Sequence, residues 1–567
     1  MKITMMKRLS RLLLICVLLL LPGCCLAAEF LPVAVTPASA EAEDMLQSVR
    51  LWQSSKSTYL FLPSGWNASE LKIWYEQGDQ LTVNGTVTRS GEVVSCFVPG
   101  ETVTVKYGKK TCKVKVLQSA GVASVHITTA SGSTTLIHQS KKNRETGEVR
   151  ILDAEGNLVC AQSLTQVRCR GSSAFNVSPK KSYQIKLETK QDLFGMGESK
   201  TWILASGFRD RSFIRNRIAL DVASYAGMAY TPQLVFADAY INGEYCGLYY
   251  FGEKVEVSSS RVDINDLNEA TKAVNEEPLS SYPEAGTLKK AQYGESKWVS
   301  VPNDPEDISG GYLLRRETLE NKNYNTHSSV YVTKFGNQIQ ILSPKYATEK
   351  QTAYVASLMQ SVENAIYAKD GIDSVTGKHY SELIDVPSFV MVYTLEESLQ
   401  YYNANLDDNQ YYYKPADSVS TLLFAGPIWD YDACLGSFAS HKKLSSITPT
   451  AFWTNKVNSS KTWYPALYKH EEFQQAVREA WKSTFEPAMS ILLGEAEDPS
   501  GILHSIDEYA AQVEAAAAMD YTRWPTLSGK NYAGAAASRI GKTFEANIRY
   551  LKNYVTKRRD WLNSQWQ

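Results

Sequence analysis

Gly426-Pro427-Ile428-Trp429-Asp430-Tyr431-Asp432 is the stretch on which the reading of this 567-residue chain turns. If it runs extended, residues two apart share a face. Asp430 and Asp432 then project together, with Tyr431 on the opposite side. Two carboxylates that close repel each other unless a cation lies between them. Oxygen ligands suit Mg²⁺, Mn²⁺ or Ca²⁺ rather than zinc. The plain alternative is a pair of solvated aspartates at a strand end or capping the next helix. The apolar neighbours Ile428, Trp429 and Leu435 tip the balance toward a metal site.

Outward from this stretch, the N-terminus reads as an export signal. Lys2, Lys7, Arg8 and Arg11 precede an apolar run from Leu12 to Leu21. That run is shorter than the roughly 20 residues a spanning helix needs. Leu21-Pro22-Gly23-Cys24 resembles a bacterial lipobox, with residues 1–23 as the signal and Cys24 as the lipidated residue. Ordinary cleavage near Leu26-Ala27-Ala28 is the alternative. The reading places the protein outside the cytoplasm, lipid-anchored at a membrane or cell surface, or otherwise secreted, with residues 24–45 as a tether. Loss of residues 1–23 removes four basic residues and no acid, which moves the formal net charge from −1 to −5. A mildly acidic chain has no electrostatic case for nucleic acid. Of nine cysteines, Cys96 with Cys112 and Cys160 with Cys169 are disulfide candidates in an oxidising compartment. Cys246 and Cys434 read as buried thiols.

Residues 46–118 hold short strand-like runs, among them Thr58 to Leu62, Leu71 to Tyr75 and Thr102 to Val105. Asn84-Gly85 is a hairpin signal, and the whole predicts a small all-β sandwich that serves as a spacer or binding module. From 119 the pattern becomes α+β. Ser182 to Leu187 alternates, with Tyr183, Ile185 and Leu187 on one face. Arg209 to Ala226 predicts a helix closed by Gly227, and Asn242-Gly243 turns a strand pair between Gln233 and Val255. The polar stretch 257–308 reads as an insertion or loop. Ser388 to Gln400 predicts a helix, and residues 462–567 read as mainly helical.

Several segments together carry a family resemblance. They are Arg170-Gly171-Ser172-Ser173, Pro179-Lys180-Lys181-Ser182-Tyr183, Trp202-Ile203-Leu204, Arg209-Asp210-Arg211-Ser212 and Arg215-Asn216. Ile241 to Tyr245, Gly247-Leu248-Tyr249, Glu253-Lys254, Gly310-Gly311-Tyr312, Asn409 to Tyr413 and Gly426 to Asp432 continue the set. In this order they resemble the CotH-type kinases, named after spore coat protein H, over residues of about 119 to 565. The resemblance implies an atypical protein-kinase-like core at 119–443 with a helical C-terminal part at 444–567. It also implies ATP with divalent metal, and transfer of phosphate to protein Ser/Thr hydroxyls. Related surface proteins act as adhesins, so a catalytically weak binder of a surface ligand is the rival reading.

Phosphoryl transfer needs cations against the phosphates, metal-binding carboxylates and a group that positions the hydroxyl. Lys180, Lys181 and Lys186 are candidate phosphate contacts or a solvated strand face. Arg209, Arg211 and Arg215 open a helix, where an anion gains from unpaired N–H groups, or else they pair with Asp210 and Asp221. Glu253 is a candidate cleft charge, and Trp429 heads the aromatics expected to line an adenine pocket. The resemblance assigns Asp430 and Asp432 to the metal, joined by Asn409. It also implies a catalytic carboxylate in Asn-x-Asp, which here reads Asn403-Ala404-Asn405. Asn405 therefore stands where the family has Asp, and Asp407 or Asp408 is the carboxylate left to serve as base.

Overall fold

The computed structural model describes residues 31–39, 46–76, 78–171, 175–176, 178–288, 293–317, 327–405, 409–437, 448–454, 463–525 and 542–566. The export signal, Cys24, Asp407 and Asp408 lie outside these residues. Among the described residues no helix is long and apolar enough to cross a membrane.

The N-terminal part is two facing sheets. One orders Val49–Arg50, Val33–Pro37, Leu71–Tyr75 and Val93–Val94; the other has six strands, with Thr58–Leu62 parallel to Lys110–Gln118. Alternate residues point inward, so Val33, Val35, Leu60, Leu62, Ile73, Val105 and Val116 share one core. The strand Val33–Pro37 falls inside the segment expected to be a tether. Its alternating valines pair in register with Leu71–Tyr75, Val35 opposite Ile73, and Pro37 ends the strand, where its missing N–H costs least. Asn84 and Gly85 take φ of 50° and 85°, the left-handed pair that a two-residue hairpin demands.

Next comes a closed barrel of seven strands. It comprises Ala123–Thr129, Glu145–Leu152, Leu158–Arg170, Ser182–Asp192 and Glu198–Ala205, and it closes through Glu244–Gly252 and Leu234–Ile241. Neighbours are antiparallel except at the seam, where Ala123–Thr129 runs parallel to Leu234–Ile241. Tyr183, Ile185 and Leu187 fill the interior with Val125, Ile151, Trp202 and Phe251, so the barrel is packed rather than hollow. The other face of Ser182–Asp192 carries exposed Lys186.

The expected helix 209–226 begins later, at Arg215, and runs to Tyr225. Asp210 captures the Ser212 and Arg215 backbone N–H groups, at 2.9 and 2.8 Å, and so holds residues 210–214 in a turn. Gly227 follows at φ 68°. The polar stretch 257–308 is not a loop throughout: it holds the helix Leu267–Ala273 and the strands Glu284–Gly286 and Ser296–Val299. Those strands start a seven-stranded antiparallel sheet that ends with Tyr312–Glu317, Gln410–Lys414 and Phe424–Ala425. Helices Glu349–Tyr367 and Val386–Ser398 pack on it, and the core runs unbroken into the C-terminal helices.

The helix Ile506–Arg523 returns to the barrel. Tyr509 donates to Asp221 at 2.6 Å, and Arg523 pairs with Glu244 at 2.7 Å. The sandwich is docked too, through a stack of Trp66, His126 and Tyr240 and a bond from Tyr240 Oη to the Phe61 carbonyl, 3.2 Å. Cys96, Cys112, Cys160, Cys169, Cys246 and Cys434 are all free thiols. The disulfide expectation for the first four therefore fails. Cys160 and Cys169 are spent on barrel packing, and Cys246 and Cys434 are buried as expected.

Candidate functional site

Asp430 and Asp432 meet at one place, by a route other than strand alternation. Asp430 is left-handed, at φ 66°, and Tyr431–Ala433 form a single 3₁₀ turn. A non-glycine residue there is strained, and its neighbours hold it. Tyr431 stacks on Tyr401 with ring centres 3.8 Å apart, and its N–H donates to Asn216 Oδ1 at 2.8 Å. Tyr401 Oη donates to the Asp430 carbonyl at 3.2 Å, and Ser437 Oγ to that of Asp432 at 3.0 Å.

Asp430 is exposed to water, whereas Asp432 is half-buried. Desolvation raises the Asp430 pKa, opposed by the Arg170 and Arg209 guanidiniums and by Asn409, whose Nδ2 donates to Asp430 Oδ2 at 3.3 Å. Asp432 is pushed well above the usual carboxylate range, first by burial and then by the charge of Asp430 and Asp210. Arg209 and Arg215 pull the other way. Two crowded carboxylates make a hard-oxygen donor pair for a divalent cation, and the Asn409 amide N–H steadies one of them. No cluster of three or more His, Cys, Asp or Glu suited to a metal occurs among the described residues. A cation held here would therefore draw its remaining ligands from water or phosphate, as Mg²⁺ does.

The other expected residues divide. Trp429 is half-buried, and the Arg170 guanidinium lies 5.2 Å over its ring, so one face is already stacked. Lys181 is half-buried and donates to the Phe175 carbonyl at 2.6 Å. Lys186 is solvent-exposed on the barrel exterior. Three are engaged internally. Lys180 is buried against Asp520 and the Leu248 carbonyl. Arg215 pairs with Asp210 at 2.6 Å and also donates to the Leu435 carbonyl. Glu253 pairs with Arg261 at 2.6 Å and accepts from Gln233 N–H. Asn405 ends the 3₁₀ turn Tyr402–Asn405.

Sequence reasoning did not single out Arg170 as a charge at this site, Asn216 as a clamp, or Asp520 as the partner of Lys180. Asp210-x-Ser212 carried a local signal, an Asp accepting from the residue two on. Asp520 carried none, since it stands 340 residues from Lys180. Gly247 makes that ion pair possible. Its φ is 116°, and a Cβ there would lie 2.5 Å from Asp520 Oδ2 and 2.8 Å from Lys180 Cε. A small cavity beside the pair is lined by Ser178, Phe208, Asp210, Phe213 and Trp524.

No curated protein matches the chain. Among solved structures, a candidate glycoside hydrolase from Bacteroides thetaiotaomicron is 14% identical, covering 54% of this chain and 82% of its own, with a TM-score of 0.11. That likeness is too low to carry an argument. The model of the family described as CotH kinase protein matches residues 167–562. The match begins inside the barrel strand Leu158–Arg170 and ends in the last helix, and it includes every residue of the site. The chain belongs to the CotH kinase protein family.

Proposed function

We propose that this protein is an exported CotH-type kinase with an atypical kinase-like fold, which transfers the γ-phosphoryl group of ATP to a protein Ser/Thr hydroxyl. The observation that carries the reading is the turn at Asp430–Ala433, which sets Asp430 and Asp432 close enough to repel each other, with Asn409 bonded to Asp430 and the charges of Arg170 and Arg209 nearby. Asp430, Asp432 and Asn409 would hold Mg²⁺ or Mn²⁺, which neutralises phosphate charge when bound. Arg170 and Arg209 supply fixed positive charge at the same site. The substrate hydroxyl oxygen bonds to the γ-phosphorus as the bond to the bridging oxygen breaks and ADP leaves. The hydroxyl proton passes to a carboxylate, and Asp407 is the residue assigned. The lipobox reading puts the enzyme on a membrane through Cys24, with spore-coat or envelope proteins as its field of action.

One observation favours the rival, a surface binding protein with weak or absent catalysis. Lys180, Arg215 and Glu253 are all spent on internal ion pairs, so these three leave no charge for a nucleotide. Radiolabelled ATP with Mg²⁺ or Mn²⁺ separates the two readings. The kinase reading expects label on protein with wild type, none with Asp430→Ala, and little with Asp407→Ala. A folded wild type that transfers no label to itself or to coat protein leaves the adhesin.

A further inference from the structure

A row of arginines runs along the outside of the barrel toward Asp430. Arg168 and Arg170 stand two apart on the strand Leu158–Arg170, opposite Gln184 and Ser182. Arg144 joins them through Gln166 of the same strand, donating from Nη1 to Oε1 at 3.4 Å. Arg168 Nη2 donates to Gln184 Oε1 at 2.9 Å, and its buried Nε has no hydrogen-bond partner among the described residues. Arg170 lies over Trp429. Neutral amides thus hold Arg144 and Arg168, whereas Arg170 lies between the Trp429 ring and the charge of Asp430. Among the described residues, none of the three forms an ion pair with a carboxylate. Exposed Lys186 stands opposite Gln166 on the neighbouring strand. The arginines feel one another: after burial, Arg144 is what most lowers the proton affinity of Arg168. Like charges held this close attract an anion.

The spacing says what kind of anion. Side chains two apart on a strand are separated by roughly 6.5–7 Å, in the barrel and in any extended peptide laid beside it. We propose that Arg144, Arg168 and Arg170 dock an extended acidic segment of the protein substrate, with carboxylates at alternate positions, and lead a neighbouring hydroxyl to Asp430. Delivery of the hydroxyl rests on the kinase reading; the docking does not. A peptide is favoured over a long polyanion because the row is short: Arg168 and Arg170 are two positions on one strand and Arg144 reaches only Gln166 beside them.

Fluorescence anisotropy on the full chain tests this, with labelled serine peptides bearing Glu, Gln or Lys at alternate positions. The Glu peptide is expected to bind on the order of tenfold tighter than the Gln peptide, weakening with salt. Arg144→Gln/Arg168→Gln should erase that preference, and Arg144→Gln alone, at an exposed residue, should erase part of it. The unfolding midpoint and the ATP-induced thermal shift should be unchanged in both. Equal binding of all three peptides, or an unaffected double variant, overturns the proposal. So does capture of polyphosphate or single-stranded DNA in preference to the Glu peptide. Loss of the ATP shift in the double variant also overturns it, by assigning the row to the triphosphate. Arginine-dependent capture of the Glu peptide by a wild type with no ATP shift sinks the kinase reading and leaves the docking surface standing.

Discussion

Asp432 sits half-buried beside a second carboxylate, and the free protein bears that repulsion. Asp432→Asn removes the titratable group, and with it the cost of burying a carboxylate beside Asp430, while keeping the shape. In EDTA the variant is expected to be more stable than wild type by about 1 kcal/mol, a few degrees in Tm for a protein of this size. It should also lose the rise in Tm that Mn²⁺ gives wild type. A calorimetric trace showing no gain in EDTA and an undiminished Mn²⁺ response would remove the case for a metal here. Gly247 gives a second residue-scale prediction. Gly247→Ala places a methyl where the Lys180–Asp520 pair stands, at a φ that side chains avoid, and should cost about 2–4 kcal/mol in urea unfolding. What the sequence made legible at this scale was identity, not route. The acidic pair was visible because its spacing is local. The left-handed turn was not, because Asn216 and Tyr401, which fix it, come from elsewhere in the chain.

The same division holds among elements. Asn84-Gly85 and Asn242-Gly243 were readable as hairpin turns, since φ above zero at both central residues is a local demand. The alternation of Tyr183, Ile185 and Leu187 was readable as one strand face. That the strand belongs to a closed barrel was not, because closure depends on the parallel seam between Ala123–Thr129 and Leu234–Ile241, more than 100 residues apart. Nor could periodicity show that the helix Ile506–Arg523 braces the barrel. Ser505 starts this helix with a capping box, and Asp520 near its end accepts from Lys180 and from the Leu248 N–H. Lys180 is thereby fixed as a structural cation. Asp520→Ala leaves an uncompensated buried ammonium and is expected to cost about 3–5 kcal/mol. Adding Lys180→Met should recover part of the loss. A double-mutant cycle by chemical denaturation checks this, and additive losses would show that the pair is not coupled.

Across the whole molecule, the sandwich is fastened to the barrel rather than strung before it, and a buried imidazole lies in the seam. His126 is stacked between Trp66 of the sandwich and Tyr240 of the barrel, with ring centres 6.2 and 4.6 Å away. Burial, and then the nearby Arg150, push its pKa down to about 3. The unfolded chain takes up a proton near pH 6.5 while the folded seam refuses it until about 3. Between those values the unfolded state holds more protons, so stability falls as pH falls, by about 1.4 kcal/mol per pH unit for each such group. His138 and His327, both lowered to about 4, act in the same direction. Asp238 acts in the opposite direction. Burial raises it to about 7, so its contribution is present at low pH and is lost as pH rises through that value. The total slope therefore mixes both signs, and the contribution of His126 is read as a difference. His126→Phe keeps an aromatic ring in the stack and removes the titration. Between pH 6.5 and 5, wild type is expected to lose about 1.6 kcal/mol more than the variant, measured by urea unfolding at each pH. Parallel profiles for the two proteins would mean that His126 is protonated in the folded state or reached by water, and that the sandwich is not sealed against the barrel.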